Sequence, residues 1–458
     1  MHITHYGAKT GVTGSCHQLT TENGKLLIDC GLFQGEEVCP LDIEFDVHDI
    51  DTLILTHAHI DHIGRLPWLL AAGFQAPIYC TLATAKLVPM MLDDALRLQL
   101  GLKRKDRQRV LKLIESLTVP VNYHTWHTVS HQRSVVADIR FQPAGHILGS
   151  AYVEVKLPTK EVIVFSGDLG PNNTPLLPDP EPPARADVLV IESTYGDGVH
   201  ESIEHRAQRL KTLIKRSLED GGVILIPAFS VGRTQELLFD IEAIIATQLN
   251  DLERREWSKI PIILDSPMAA KVTDHYREFK ALWGEEAKTR LEAGRHPLAF
   301  EQCVTIDSHG DHQALVNRLQ QTGEPAIVVA ASGMCNGGRI LNYLEALLPD
   351  ARTDVILAGY QAKGTLGRKL QKGAKRVEIG NQNIKVSAHI HTMSGYSAHA
   401  DKNELLQFIE GIPTKPKEIR IVHGDKEAQE ALAGEIEQRG LAERVVMGVR
   451  AGPGKRRP

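Results

Sequence analysis

Short apolar runs recur along the first part of the chain, and each ends in a loop that carries histidine or aspartate. Gly24-Lys-Leu-Leu-Ile-Asp-Cys30 runs into Gly31, and Thr52-Leu-Ile-Leu-Thr56 stops at the loop His57-Ala-His-Ile-Asp-His62. Ile139-Arg-Phe-Gln142 leads to Pro143-Ala-Gly-His146, and Glu161-Val-Ile-Val-Phe165 leads to Ser166-Gly-Asp168. Runs of this length, bounded by turn residues, predict buried strands. Between them, Leu82 to Leu117 reads as helical, with a basic patch at Lys103-Arg-Lys-Asp-Arg107 that reads as a solvated face.

From about residue 200 the rhythm changes to strand, glycine-bearing loop, helix. A helix over Ile203–Leu218 precedes the strand Gly222-Val-Ile-Leu-Ile-Pro227, which leads into a loop with Ser230 and Arg233 and a helix over Thr234–Ile245. Pro261-Ile-Ile-Leu264, Ala326-Ile-Val-Val-Ala330 and Asp354-Val-Ile-Leu-Ala358 start further units of the same kind. Such repetition predicts a parallel sheet with helices on its faces, which binds ligands beyond the carboxyl ends of its strands. The loops there hold Ser230, Arg233, Ser332, Gly333, Gly337, Arg339 and Lys363, a set suited to an anion such as phosphate. After about Gly373 the strand rhythm returns. Ile384-Lys-Val-Ser-Ala-His-Ile390 and Glu418-Ile-Arg-Ile-Val422 deliver histidines at His399 and His423. The first unit is therefore expected to be interrupted and then resumed.

Bulk properties narrow the class. A chain of 458 residues with 42% hydrophobic and 24% charged residues is long enough for two cores and is not compositionally disordered. A net charge of −5 does not mark a nucleic-acid binder, although one local groove can still be basic. The six cysteines, Cys16, Cys30, Cys39, Cys80, Cys303 and Cys335, form no C-x-x-C pair and read as buried reduced thiols. The opening residues show no secretory pattern, and no run of eighteen apolar residues occurs. The expectation is no membrane span and a cytoplasmic address. The closing Gly452-Pro-Gly-Lys-Arg-Arg-Pro458 reads as a frayed basic tail.

The chemistry concentrates in H-x-H-x-D-H. His57 and His59 point the same way from an extended loop and can grip one ion, and Asp61 and His62 can grip a second. Two metals need more ligands than one loop holds, and His146, Asp168 and His423 each stand just past an apolar strand. Ser308-His-Gly-Asp-His312 mimics the spacing but is expected at the surface. His124, His127 and His131 read as loop residues, and His389 and His391 as alternating strand positions.

These motifs resemble the metallo-β-lactamase superfamily, and the insert resembles its β-CASP branch. The matches are Asp29 in LLIDCG, the His57–His62 loop, His146 in PAGHILGSA, Asp168 in FSGDLG, Glu192 in IESTYGD, His399 in SAHAD and His423 in VHGD. The resemblance implies an α/β chain: an αββα metallo-β-lactamase core over 1–198 and 377–458, with a β-CASP insert over 199–376 built as a parallel sheet flanked by helices. It implies two zinc ions, one held by His57, His59 and His146 and the other by Asp61, His62 and His423, with Asp168 bridging and Asp29 orienting a ligand. Manganese or iron suits the same donors. It implies a ribonuclease acting on single-stranded RNA with an activated water, leaving a 5′-phosphate and a 3′-hydroxyl. Glu192 and His399 would manage the proton, and Tyr396 and Ser397 would stand near the scissile group. In this family RNA-cleaving members carry histidine at the His423 position and DNA-repair members valine, so His423 favours RNA over the alternative DNA nuclease. A small-ester hydrolase would need neither the insert nor the Glu192/His399 pair, and a non-catalytic RNA scaffold would not retain every expected ligand. A homodimer stays open.

Overall fold

The computed structural model describes residues 1–34, 41–98, 101–132, 134–248, 250–258 and 260–448. Cys39 and the tail from Gly452 lie outside the described residues.

The chain divides into two compact units. One comprises residues 1–172 and 178–199 and the stretch from His399 onward; the other comprises 173–177 and 200–398. The first unit contains two sheets. One runs in the order His2–His5, His17–Thr20, Lys25–Ile28, Thr52–Ile54, Ile78–Thr81, Thr118–Val121. The other runs Arg444–Met447, Glu418–Ile421, Val188–Ile191, Val162–Phe165, Ala151–Lys156, Ser134–Pro143, Trp126–His131. Their inner faces share one core, in which Leu19, Leu26, Ile28 and Ile54 meet Ile139, Phe141, Val153, Val155, Ile163, Phe165 and Val190. Each such side chain withdrawn from water contributes roughly 1.5–3 kcal/mol. On the outer face of the second sheet, Leu189, Ile191, Ile419 and Ile421 pack against Leu405, Leu406, Ile409, Leu432 and Ile436. These come from the helices Lys402–Glu410 and Lys426–Gln438. The helix Leu82–Leu98 packs on the first sheet at Ile78–Thr81 and Thr118–Val121. The layers are helix, sheet, sheet, helix. Val188–Ile191 is apolar and buried at every position because both of its faces are covered.

The second unit is built on six strands, all parallel, in the order Cys303–Thr305, Ile262–Asp265, Ala326–Ala330, Val223–Pro227, Asp354–Leu357, His389–Thr392. Each strand–loop–helix unit expected from the sequence contributes one of them.

Four expectations differ in detail. The helical stretch from Leu82 to Leu117 is two helices, Leu82–Leu98 and Arg104–Leu117; Gly101 between them has a left-handed backbone, which ends α-helical pairing. The helix after Arg233 is α-helical to Ala243 and continues as a π-turn over Ile244–Gln248. The return to the first unit was expected at 377, but His389–Thr392 pairs in parallel with Asp354–Leu357, so residues up to 398 stay with the second unit. The apolar run read as one strand is a hairpin arm, Gln382–Lys385, followed by that edge strand. A strand's periodicity records its two faces and says nothing of which sheet edge will bond it.

Candidate metal centre

The His57–His62 loop leaves the strand Thr52–Ile54 and closes in one helical turn, Ile60–Ile63, with His59 extended at its start. Its position is set by the neighbouring Asp29–Gly31 turn. Cys30 N–H donates to His62 O at 2.8 Å, and Ser15 N–H donates to Asp61 O at 2.8 Å. A Cβ on Gly31 would stand 1.5 Å from Asp61 O, so this close approach requires glycine. Asp168 is delivered from the end of Val162–Phe165 through Gly167, whose backbone is left-handed.

Two groups of donors form around Asp168. His57, His59 and His146 make one; Asp61, His62 and His423 make the other. In the first, His57 Nε2 lies 3.2 Å from His59 Nδ1, and His146 Nε2 lies 2.9 Å from the same atom. Asp168 Oδ2 stands 3.5 Å from His57 Nε2 and 3.6 Å from His146 Nε2. In the second, His62 Nε2 and His423 Nε2 are 3.2 Å apart. Asp168 Oδ1 stands 3.2 Å from His62 Nε2 and 3.6 Å from His423 Nε2, and Asp61 Oδ2 is 3.5 Å from His423 Nε2. One carboxylate thus offers a separate oxygen to each group. Ligands about 2.0–2.2 Å from a tetrahedral ion stand about 3.3–3.6 Å from one another. The carboxylate contacts at 3.5–3.6 Å match that spacing and the imidazole contacts at 2.9–3.2 Å are somewhat tighter, while the imidazole and carboxylate donors fit zinc chemistry.

The outward nitrogens are held so that the inward ones face the centre. His62 Nδ1–H donates to Asp29 Oδ2 at 2.7 Å, while Thr56 N–H and Oγ1–H each donate to Asp29 at 2.8 Å. Thr56 Oγ1 is also 3.1 Å from His57 Nδ1. Thr194 Oγ1 stands 3.2 Å from His423 Nδ1 and donates to Glu192 Oε2 at 2.6 Å. Such outer partners fix the tautomer and direction of a ligand ring. Asp29 and His423 both adopt left-handed backbone conformations, which cost a non-glycine residue on the order of 1 kcal/mol or more and are found at functional sites.

Charge at the site is uneven. Burial, with the neighbouring imidazoles, presses His57 well below its usual range; burial likewise brings His59 down to about 4. Both are neutral donors at neutral pH. For His62 and His423 burial also disfavours charge, but the carboxylates outweigh it. Asp168 and Asp29 push His62 up, and Asp168 and Asp61 bring His423 to about 9. This half of the site calls for positive charge. Beside it, His399 Nδ1 stands 3.0 Å from Glu192 Oε2 and 3.9 Å from Asp168 Oδ2. Burial lowers the His399 pKa, and the Glu192 carboxylate more than reverses this, so the net direction is up. The Glu192 side chain is fully buried, while the His399 side chain keeps 17% exposure.

The structure therefore gathers Asp29, His57, His59, Asp61, His62, His146, Asp168, Glu192, His399 and His423 in the first unit. Thr56 and Thr194 were not singled out from the sequence. Their only sequence signals are adjacency to His57 and a place in the same motif as Glu192.

The expected substrate residues all belong to the second unit. Ser230 and Arg233, then Ser332, Gly333 and Gly337, then Lys363 follow three adjacent strands of its sheet, Val223–Pro227, Ala326–Ala330 and Asp354–Leu357. Ser230 Oγ is 3.2 Å from Ser266 Oγ, and Ser332 Oγ accepts from Asn336 N–H at 3.1 Å. Arg339 is committed within the protein: it donates to Asp265 Oδ1 at 2.6 Å, to Ile306 O at 2.7 Å and to Asp307 O at 3.0 Å. Tyr396 is fully buried with its ring under the Arg206 guanidinium, and Ser397 is buried beside it in sequence. His312, expected at the surface, is wholly buried, its Nδ1–H donating to Asp265 at 2.6 Å. It heads the inner face of the helix His309–Thr322, which the local spacing does not reveal. His127 and His131 lie in the strand Trp126–His131, not in a loop. His389 and His391 are on the edge strand, where His391 pairs with Asp354.

Comparison with known proteins now bears on this geometry. Residues 10–213 match the model of the metallo-beta-lactamase superfamily and residues 234–370 that of the Beta-Casp domain. Residues 383–447, which include His399 and His423, match the Zn-dependent metallo-hydrolase RNA specificity domain. Ribonuclease TTHA0252 of Thermus thermophilus is 34% identical over 444 residues, covering 96% of this chain and 97% of that one. The chain belongs to the β-CASP branch of the metallo-β-lactamase superfamily. Other β-CASP relatives are the RNase J-like protein of Methanocaldococcus jannaschii, 32% identical over 93% of this chain and 92% of its own, and transcription termination factor FttA of Methanosarcina mazei. The latter is 30% identical over 95% of this chain and 69% of its own. Asp168 lies within the stretch that matches the metallo-beta-lactamase superfamily, and the strands Val223–Pro227, Ala326–Ala330 and Asp354–Leu357 lie in or beside the Beta-Casp match.

Proposed function

We propose that this β-CASP protein is a metal-dependent ribonuclease that hydrolyses single-stranded RNA and leaves a 5′-phosphate and a 3′-hydroxyl. The observation that carries the reading is Asp168, which presents one oxygen to His57 and His146 and the other to His62 and His423, with the Glu192–His399 pair alongside. Two zinc ions would be held by His57, His59 and His146 and by Asp61, His62 and His423, with Asp168 shared, and would supply Lewis acidity and an activated water. Asp29, Thr56 and Thr194 keep the ligand rings aligned. Glu192 holds His399 by Nδ1 and favours its cationic form, so His399 gives a proton through Nε2 to the departing ribose 3′-oxygen. Attack by water makes the RNA 2′-hydroxyl unnecessary to the chemistry, so preference for RNA rests on binding.

In the second unit, Ser230, Arg233, Ser332, Gly333, Gly337 and Lys363 stand at the carboxyl ends of adjacent parallel strands, where backbone phosphates suit them. Arg339 and Tyr396 serve as internal struts there, because their polar and aromatic groups are spent on Asp265 and Arg206.

End-labelled single-stranded RNA and a DNA of the same sequence, incubated with purified protein with and without chelator, test this reading. RNA products bearing 5′-phosphates, abolished by chelator, are expected. Metal-replete protein that leaves RNA intact, or cuts only DNA, overturns it.

A further inference from the structure

The helix Arg104–Leu117 and its first flanking residue present five cations, Lys103, Arg104, Lys105, Arg109 and Lys112, that no carboxylate among the described residues pairs with. Residues 103–112 carry six cations against one carboxylate, on a chain whose total is −5. Val110, Leu111 and Leu117 are half-buried and Ile114 is fully buried, and the helix packs by that side on Leu82–Leu98. Lys103, Arg104, Lys105, Arg109 and Lys112 are exposed and make no ion pair among the described residues. The contrast with other helices is direct. Lys215 reaches Glu253 at 2.5 Å and Lys288 reaches Glu285 at 3.0 Å, whereas on this helix only Arg107 is paired among the described residues, with Asp93 at 2.7 Å. Asp106 and Glu115, on the same helix, pair with none of the five.

Lys105, Arg109 and Lys112 recur at helical spacing on one face and span about 10 Å. Leu113 is the helix's one exposed large hydrophobic residue, and no aromatic residue lies on it. Protein interfaces are enriched in aromatics and arginine but depleted in lysine, and this surface has three lysines, no aromatic residue and charge mostly of one sign, which suits a phosphate backbone better than a protein. The helix that carries Asp61 and His62 packs on Leu82–Leu98, which packs on Arg104–Leu117. Two helix spacings of about 8–10 Å each separate the ridge from the metal loop.

We propose that the outer face of Arg104–Leu117 is a binding ridge for the sugar–phosphate backbone of single-stranded RNA, engaged only by substrates long enough to extend beyond the metal centre. The proposal rests on the ribonuclease reading. The ridge touches no reacting atom; it raises the local concentration of long polyanions on a protein whose net charge repels them.

The test compares the holoenzyme with the triple variant Lys105→Gln, Arg109→Gln, Lys112→Gln on a hexanucleotide and on a single-stranded RNA of ~40 nucleotides. Each lost phosphate contact should reduce the slope of log(kcat/KM) against log[salt] by about 0.7. The expected result is a slope shallower by about 2, KM for the long RNA raised at least ~10-fold at low salt, kcat unchanged, and hexanucleotide cleavage equal to wild type. The pair Lys105→Arg, Lys112→Arg should behave as wild type. Equal KM and slope on long RNA overturn the proposal and leave the ridge to an acidic protein surface. The ribonuclease reading survives that outcome, since it fails only if wild-type protein cuts neither RNA.

Discussion

Asp29→Asn is the sharpest probe of how the site is organised. Asp29 accepts three hydrogen bonds of 2.7–2.8 Å, from His62 Nδ1–H, Thr56 N–H and Thr56 Oγ1–H. Asparagine tolerates the left-handed backbone found here, at φ 57°, so the turn should persist. Its oxygen can still take the Thr56 N–H. Its amide nitrogen then faces His62 Nδ1 and donates to it, which drives the imidazole proton to Nε2, the atom directed at Asp168 and His423. Ligation through that nitrogen is blocked. Losing such an outer partner lowers metal affinity by about 10–100-fold, or roughly 1.4–2.7 kcal/mol. The loss should fall on the Asp61, His62 and His423 side and spare His57, His59 and His146. Competition titration of apo-protein against a chromophoric chelator, with circular dichroism to confirm the fold, reads both steps. Two steps unchanged, or both weakened alike, would refute the argument that Asp29 acts through His62.

Further expectations follow from the same geometry. His399→Ala should retain both metal-binding steps yet slow RNA cleavage by about 10²–10⁴-fold; metal loss in that variant, seen by elemental analysis, would show a ligand role instead. Arg339→Ala should destabilise the second unit by about 3–5 kcal/mol, because it removes the cation paired with the fully buried Asp265 carboxylate; a denaturation midpoint like wild type would contradict it. Gly31→Ala should prevent the Asp61 loop from seating and lower both solubility and metal content, whereas Gly434→Ala, in the helix Lys426–Gln438 with nothing near its Cβ, should do neither. Burial, then the Arg420 charge, brings His5 down to about 3, beside His17 at 2.9 Å. It stays neutral in the fold while the unfolded chain takes up a proton near pH 6.5. Its contribution is complete above that pH and is lost as pH falls toward 3. His5→Gln should therefore lose less stability than wild type between pH 6.5 and 4, as urea midpoints would show.

Several decisions were local and could be read directly. H-x-H-x-D-H after a buried strand places four donors within six residues, because neighbours in sequence cannot be far apart. Four strand–loop–helix units specify a parallel sheet, because a parallel connection needs a crossover long enough for a helix. Other decisions depended on partners far along the chain. Asp29 orients His62 because two strand ends meet, and Thr194 orients His423 across a separation of 229 residues. His312 looks like a surface histidine until Asp265, 47 residues earlier, supplies its buried partner. The strand His389–Thr392 could have joined either unit by its own pattern, and the open edge at Asp354–Leu357 settled it. The amino-acid order thus determined which residues carry chemistry and which segments form strands and helices, through periodicity and residue type. Tertiary structure decided which of those residues meet, which are buried and which sheet each strand extends, because hydrogen bonds and burial are satisfied in space by whatever group the fold brings near.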